Sequence, residues 1–412
     1  MAFDFPNAPT VGQKYPQPPV PGVPVWTWDG EKWTTQTQTG IGAVRYDMPQ
    51  GLTANQMAQA RSNIAVMRKN YIINGAMMVS QENGTTAGAT SGYYPVDMFP
   101  CYAIATTGAM GVAQAAAATP AGSPTRLGFY VTTADATVSG GKLVCIDTSI
   151  EGLRAADLRF GTASAKTVTL QFGVRASAAG TYCVTLRNAA ANRSYVSEYA
   201  ISAAEAGTDV VKSVVISGDT TGTWATDNTG GILIRWALMC GPTYQQAAGS
   251  WGAVASASGS PNQFNVMGST SNTFQLFDVG FYEGNVAPPF MVPDYTSELA
   301  ACRRYYFKSY APNTAPGTAV SAGSNTIYLS GAPAASTMGG HIIFPVSLRI
   351  APTVTIYDNA GTAGKASYYT GSWANNGSVT ILNTGGNGLG FTAPTSGVAM
   401  MYNFDVVANA RL

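Results

Sequence analysis

The chain has 412 residues, of which only 10% are charged: 22 Lys and Arg against 21 Asp and Glu, for a formal charge of +1. That balance argues against a nucleic-acid binder working through bulk positive charge, and 46% hydrophobic with 10% aromatic content excludes a disordered chain. A single histidine, His341, excludes two-histidine metal motifs. The five cysteines, Cys101, Cys145, Cys183, Cys240 and Cys302, stand apart with no CxxC spacing and are expected to be reduced and buried. The start of the chain lacks an apolar signal core, and no run approaches 18 apolar residues. The expectation is a soluble protein folded in a cytoplasm, without membrane insertion.

Residues 1–40 open the chain with Pro6, Pro9, Pro16, Pro18, Pro19, Pro21 and Pro24, a composition that favours extended backbone over helix. Val25–Thr34 reads as a small hairpin turning at Asp29-Gly30. Its Trp26, Trp28 and Trp33 are candidate anchors for a partner protein. Residues 41–69 form a linker. Within it, Thr53 can cap a short helix reaching Arg68. Leu52, Met57 and Ile64 give that helix a thin apolar stripe, suited to packing among three copies of the chain.

Residues 70–293 switch to period two. Strands are expected at 71–73, 126–131, 142–146, 166–175, 180–186, 193–201, 209–216, 231–239 and 273–282, with Trp236 in the core. Short strands separated by polar turns indicate an antiparallel jelly-roll-like sandwich. Helical turns at 296–301 run into Tyr305-Tyr306-Phe307 and mark a boundary. Residues 294–412 form a second, smaller sandwich, with strands expected at 319–329, 340–348, 353–358, 367–370, 377–382 and 397–407. The fold class is therefore all-β: two antiparallel β-sandwich domains behind a proline-rich arm, a small hairpin and a short helix.

Several segments in order, Phe5–Gln13 with Trp26–Trp33, Leu52–Ile64, Asn70–Met77, Ile150–Gly161, Asp278–Phe290, Glu298–Tyr306 and Phe344–Thr355, resemble segments of bacteriophage tail-fibre and related virion appendage proteins. The central part is similar to jelly-roll modules of carbohydrate-binding type. The resemblance implies a homotrimer on a virion, joined to another virion protein through residues 1–40 and adsorbing to a host-surface glycan. No long shaft is present, which favours a compact appendage. Head or collar decoration and a glycan-degrading tailspike are the alternatives.

The chemistry expected from single residues is sparse. Glu151 and Asp157 share a segment with Arg154 and Arg159. A hydrolase needs two carboxyls facing one bond, and this segment reads instead as a turn tied by those arginines. Asp219 and Asp227, with Thr220, Thr221, Asn228 and Thr229, form an oxygen-rich loop. It lacks EF-hand spacing and reads as solvated, so no cofactor is expected and a structural calcium ion has no support. His341 sits in an apolar strand context and reads as structural. No nucleophile arrangement or phosphate loop is present, and no enzymatic activity is expected. The remaining signal is aromatic: Trp224, Trp251, Tyr368, Tyr369 and Trp373 stand in or beside Gly/Ser/Thr/Asn-rich stretches. Their rings can cover the C–H face of a sugar while nearby amides, such as Asn375 and Asn376, meet its hydroxyls.

Overall fold

The computed structural model describes residues 5–20, 24–35, 56, 69–321, 324–328, 337–394 and 401–412. It divides into two compact units, Met1–Met67 and Arg68–Leu412. In the first, β1 (Lys14–Tyr15), β2 (Trp26–Trp28) and β3 (Trp33–Thr35) make a three-stranded antiparallel sheet. The Asp29 carboxylate accepts hydrogen bonds from the backbone N–H groups of Glu31 and Lys32 and so closes the expected turn. The proline-rich arm contributes a strand of its own, which the hairpin reading missed. Leu52, Met57 and Ile64 lie outside the described residues.

The second unit begins with a sandwich. Its strands are β4 (Tyr93–Val96), β5 (Phe99–Ile104), β6 (Ala109–Ala115), β7 (Arg126–Thr133), β8 (Leu143–Glu151) and β9 (Val168–Ala176). A single-turn helix, α1 (Gly152–Ala155), follows β8. Then come β10 (Gly180–Arg187), β11 (Ser194–Ile201), β12 (Val210–Ile216), β13 (Gly230–Cys240), β14 (Trp251–Gly252) and β15 (Thr273–Glu283). Seven strands in the order β14-β11-β10-β13-β8-β5-β4 face five in the order β12-β9-β15-β7-β6. Between them lie Trp236, Phe99, Phe129, Phe172, Phe274 and Phe281, all buried. Alternation along β11 and β12 puts every second side chain into this core, as the period-two reading requires. All five cysteines are free and buried.

Tyr71–Ile73 is not a strand. The three residues are buried in succession, which no alternating strand on one face permits, and Asn70 Oδ1 holds the turn by accepting from the N–H groups of Ile72 and Phe281. Strands β4, β5 and β6 escaped the sequence reading because Pro95, Pro100 and an Ala/Gly-rich stretch weaken strand propensity.

Helix α2 (Tyr295–Arg303) has Asp294 as N-cap, accepting from Ser297 N–H. After it come β16 (Tyr306–Lys308), β17 (Asn325–Tyr328), β18 (Thr337–Ile343), β19 (Thr353–Tyr357) and β20 (Lys365–Tyr369). Strands β21 (Trp373–Ser378), β22 (Thr380–Gly385), β23 (Gly388–Pro394) and β24 (Met401–Asn409) complete the element order. Strand β24 pairs with β16, β17, β19 and β20, and β20 continues to β21; β18, β23 and β22 form a separate three-stranded sheet. Ile342, Phe344, Ile356, Phe391, Phe404 and Val406 make this second core. The expected strand 377–382 straddles the β21–β22 junction, and β23 was hidden by Gly388, Gly390 and Pro394.

Candidate functional site

The small sheet of the C-terminal sandwich carries an uncharged trough. Along β18, Ile342 points into the core, so His341 and Ile343 point out. In register, His341 stands beside Gly390 and Ile343 beside Gly388 on β23. On the other side of β23, Asn383 stands beside Gly390 and Gly385 beside Gly388. Two glycines at alternate positions thus leave the middle strand without side chains between His341 and Ile343 on one side and Asn383 on the other. The space encloses about 460 Å³, lined by His341, Asn383, Thr384, Asn387 and the glycines around them. That lies within the range of small-ligand sites.

The floor is open at one glycine and closed at the other. A Cβ on Gly390 would meet nothing nearer than a carbonyl 4.0 Å away, whereas one on Gly388 would lie 2.3 Å from the Ile342 carbonyl and 3.1 Å from His341 Cε1. The imidazole therefore leans over Gly388. Ile343, in register with Gly388, is 75% exposed on the same face of β18. Asn387 accepts from Ser347 Oγ at 2.5 Å, which fixes the end of the β22–β23 turn. Among the described residues, no carboxylate, lysine or arginine lines the trough. The group set is imidazole, carboxamide, hydroxyl and open backbone, which suits a neutral polyhydroxylated ligand.

The aromatic candidates separate into two groups. Tyr369 and Trp373 stand opposite each other across the β20–β21 hairpin, with ring centroids 5.5 Å apart. Gly371 takes a φ of +108° in the turn, which a side chain would resist. Trp373 is 48% exposed, an unusual position for an indole without a partner surface. Tyr368 alternates to the other side and packs against the core, near Tyr402, so it does not join them. Asn376 is exposed and takes a φ of +70°, with its N–H donated to Asp358; the Asn375 side chain accepts from Ser367 Oγ.

Trp224 and Trp251 meet in the central sandwich instead. Their rings and that of Phe160 form a three-ring cluster with centroids 4.9–5.9 Å apart. Both indole N–H groups donate to backbone carbonyls, of Thr221 and Ser217. With Trp224 only 8% exposed, this is packing rather than an open platform. Trp26, Trp28 and Trp33 are likewise half-buried: Phe5 stacks on Trp33 at 5.1 Å and meets Trp26 edge-on at 5.4 Å. These candidate anchors therefore pack within the small sheet of the first unit.

The carboxylates are committed elsewhere. Glu151 pairs with Arg304 and Tyr305 rather than with Arg154 or Arg159, because β8 ends against the segment that follows α2. Asp157 accepts from Lys69 and Tyr71, while Arg154 donates to the backbone carbonyls of Asn70 and Tyr71. Asp219 is buried and gripped by Arg193 through two 2.7 Å bonds, so its loop is not solvated at that point. Among the described residues no three His, Cys, Asp or Glu side chains gather as a metal site would require. His341, read from sequence as structural, is exposed and lines the trough. The signal for it was the alternation of Gly388 and Gly390, legible only once β18 is known to lie beside them.

No protein-family model matches the sequence, and no curated protein matches it. Among solved structures, the chain is similar to an arabinose-bound α-L-arabinofuranosidase at 11% identity and a TM-score of 0.28, over 55% of this chain and 30% of that one. It is similar to the enzymatically active domain of tailspike protein 4 of bacteriophage CBA120 at 10% identity and 0.25, over 52% of this chain and 21% of that one. The family 11 carbohydrate-binding module of a cellulosomal cellulase of Clostridium thermocellum aligns at 9% identity and 0.26, over 50% of this chain and 98% of the module. The chain thus spans less than a third of the length of the first two.

Proposed function

We propose that this chain is a glycan-binding appendage of a bacteriophage virion, and that it acts by binding and not by catalysis. The observation that carries the glycan reading is the glycine-floored trough between His341 and Asn383, whose lining among the described residues holds no charged side chain other than the imidazole. The exposed Trp373, set against Tyr369 on a hairpin of the same sandwich, supplies a second surface on which a sugar ring can stack. Neutral hydrogen bonds and stacking give weak single sites. A homotrimer turns weak sites into useful avidity, with gains of roughly 10²–10⁴ where geometry permits. In this reading residues 1–40 join the chain to another virion protein, and the virion role itself rests on the ordered segments that resemble fibre proteins. The absence of catalysis is supported by the commitment of Glu151 and Asp157 to structural partners.

The test is a glycan array probed with the full chain, followed by Trp373→Ala and Asn383→Ala. The expected result is binding to neutral glycans that falls at least about tenfold in either variant, the loss of about one good contact, with the thermal midpoint unchanged. An array on which the wild-type chain captures no glycan overturns the binding reading. Release of reducing sugar from a captured polysaccharide overturns the non-catalytic one.

A further inference from the structure

The central sandwich has an outer face that the glycan reading leaves unused. Alternation along β10 sends Cys183, Thr185 and Arg187 to this face of the seven-stranded sheet, while Tyr182, Val184 and Leu186 enter the core. Register then builds two rows across the sheet. Asp147, Arg235, Thr185 and Val196 lie side by side on β8, β13, β10 and β11. In the next row lie Ser149, Leu233, Arg187 and Ser194.

The charges on this face do not balance. Arg235 takes both oxygens of Asp147, at 2.7 and 2.6 Å, and donates to Ser258 Oγ at 2.9 Å. Both members of that pair are buried. Arg187 is a second guanidinium beside it that, among the described residues, has no carboxylate of its own. Its Nε is buried without a hydrogen-bond partner, and so are the hydroxyls of Thr185 and Ser194, on residues wholly removed from solvent. Burial, and then the neighbouring Arg235, hold the Arg187 guanidinium below the usual arginine range. A partly buried cation with a buried, unbonded Nε and two buried hydroxyls without partners are costly features.

One end of the face is open. Around Cys145, Cys183 and Ala237 it is covered by Cys240, Ala257 and Tyr244. In the row of Ser149, Leu233 and Arg187 the side chains are only partly buried. A ligand entering there meets the terminal nitrogens of Arg187 first.

We propose that this open end binds an oxyanion, a carboxylate or sulfate group, on the planar fork of Arg187. Guanidinium matches such groups with two parallel hydrogen bonds. A neutral sugar would leave the charge uncompensated. The group can arrive free or carried on an acidic sugar. This site is on the central sandwich and does not depend on the trough of the C-terminal one.

The test is thermal unfolding and titration calorimetry of the full chain with sodium glucuronate, sodium sulfate, sodium chloride at matched ionic strength, and glucose. Glucuronate or sulfate is expected to raise the wild-type midpoint by a few degrees, about 2–4 °C at saturation, with chloride and glucose inactive. A response to glucuronate alone identifies an acidic sugar as the ligand; a response to sulfate identifies any oxyanion. Arg187→Gln is expected to abolish the response. Arg187→Met is expected to abolish it while raising the anion-free midpoint, because it removes a partly buried cation whose Nε is buried without a partner. A wild-type chain that takes up neither anion overturns the proposal whatever the variants do, and so does an equal response in wild type and Arg187→Gln.

Discussion

The carboxylate of Glu151 and the guanidinium of Arg304 meet in a two-pronged ion pair, at 2.6 and 2.8 Å, across 153 positions of sequence. The hydroxyl of Tyr305 donates to the same carboxylate at 2.7 Å. The contact ties the end of β8 to the segment that leads into the C-terminal sandwich. Arg349 adds a second tie, donating to the carbonyls of Asn228, Ala410 and Arg411. A third is Arg411, which lies between the rings of Tyr94 and Tyr306 and pairs with Glu82. The two sandwiches are therefore joined by charge-assisted bonds at named points.

Glu151→Gln is expected to cost about 2 kcal/mol, less than a fully buried pair would, because Arg304 is partly exposed. Burial pushes the Glu151 carboxyl up, but Arg304 and Tyr305 pull it down further, so that it sits below its ordinary value. The stabilisation is present above about pH 4.3, the value for an unfolded glutamate, and is lost as pH falls through the lower folded value. Urea unfolding from pH 7 to pH 3 checks both points. A Glu151→Gln chain that tracks wild type throughout would remove the pair from the stability of the fold.

Trp224→Ala is expected to destabilise the central sandwich by about 3 kcal/mol, the cost of emptying a packed aromatic site. Phe160 and Trp251 both rest on this ring. Glycan capture should not change. Loss of capture at unchanged stability would return Trp224 to the binding surface.

Gly390→Ala and Gly388→Ala should behave in opposite ways. The first places a methyl on the open floor of the trough, with stability kept within about 0.5 kcal/mol and glycan affinity reduced at least about tenfold. The second drives a methyl into the Ile342 carbonyl and should destabilise by more than about 1 kcal/mol. Calorimetric unfolding beside array binding separates them. Full glycan affinity in Gly390→Ala would rule out the trough floor as the ligand surface.

Lys308 is buried, and burial brings its amine down to about 8, while its Nζ donates to the carbonyls of Pro312 and Thr314 at 2.9 and 2.8 Å. An unfolded lysine titrates near about 10.4. Between these values the unfolded chain binds more protons than the folded one, so stability should rise with pH from about 8 to about 10. Lys308→Met should flatten that rise. Denaturant midpoints at three pH values across the window decide it, and a wild-type midpoint that falls there would refute the assignment.

Much of the fold is legible in the chain. Where apolar and polar residues alternate along 193–201 and 209–216, a strand appears within a residue or two of its expected limits. Trp236 and the five cysteines are buried as their chemistry suggested. Propensity failed where residues served a purpose other than strand formation. Tyr71–Ile73 plugs a core end, and Gly388 and Gly390 clear a floor inside a strand.

The sequence by itself determined the all-β class, because the period of apolar residues is local and needs no partner to be read. It also gathered Tyr368, Tyr369 and Trp373 around one short turn, of which the structure keeps Tyr369 and Trp373 side by side and sends Tyr368 to the core. The tertiary structure alone decided what each polar group does. Glu151 finds Arg304, His341 finds Gly390 and Asn383, and Arg187 finds no carboxylate among the described residues. Those relationships depend on strand register between segments tens to more than a hundred residues apart. Register is fixed by how the two faces of each sheet pack, and no local spacing records it.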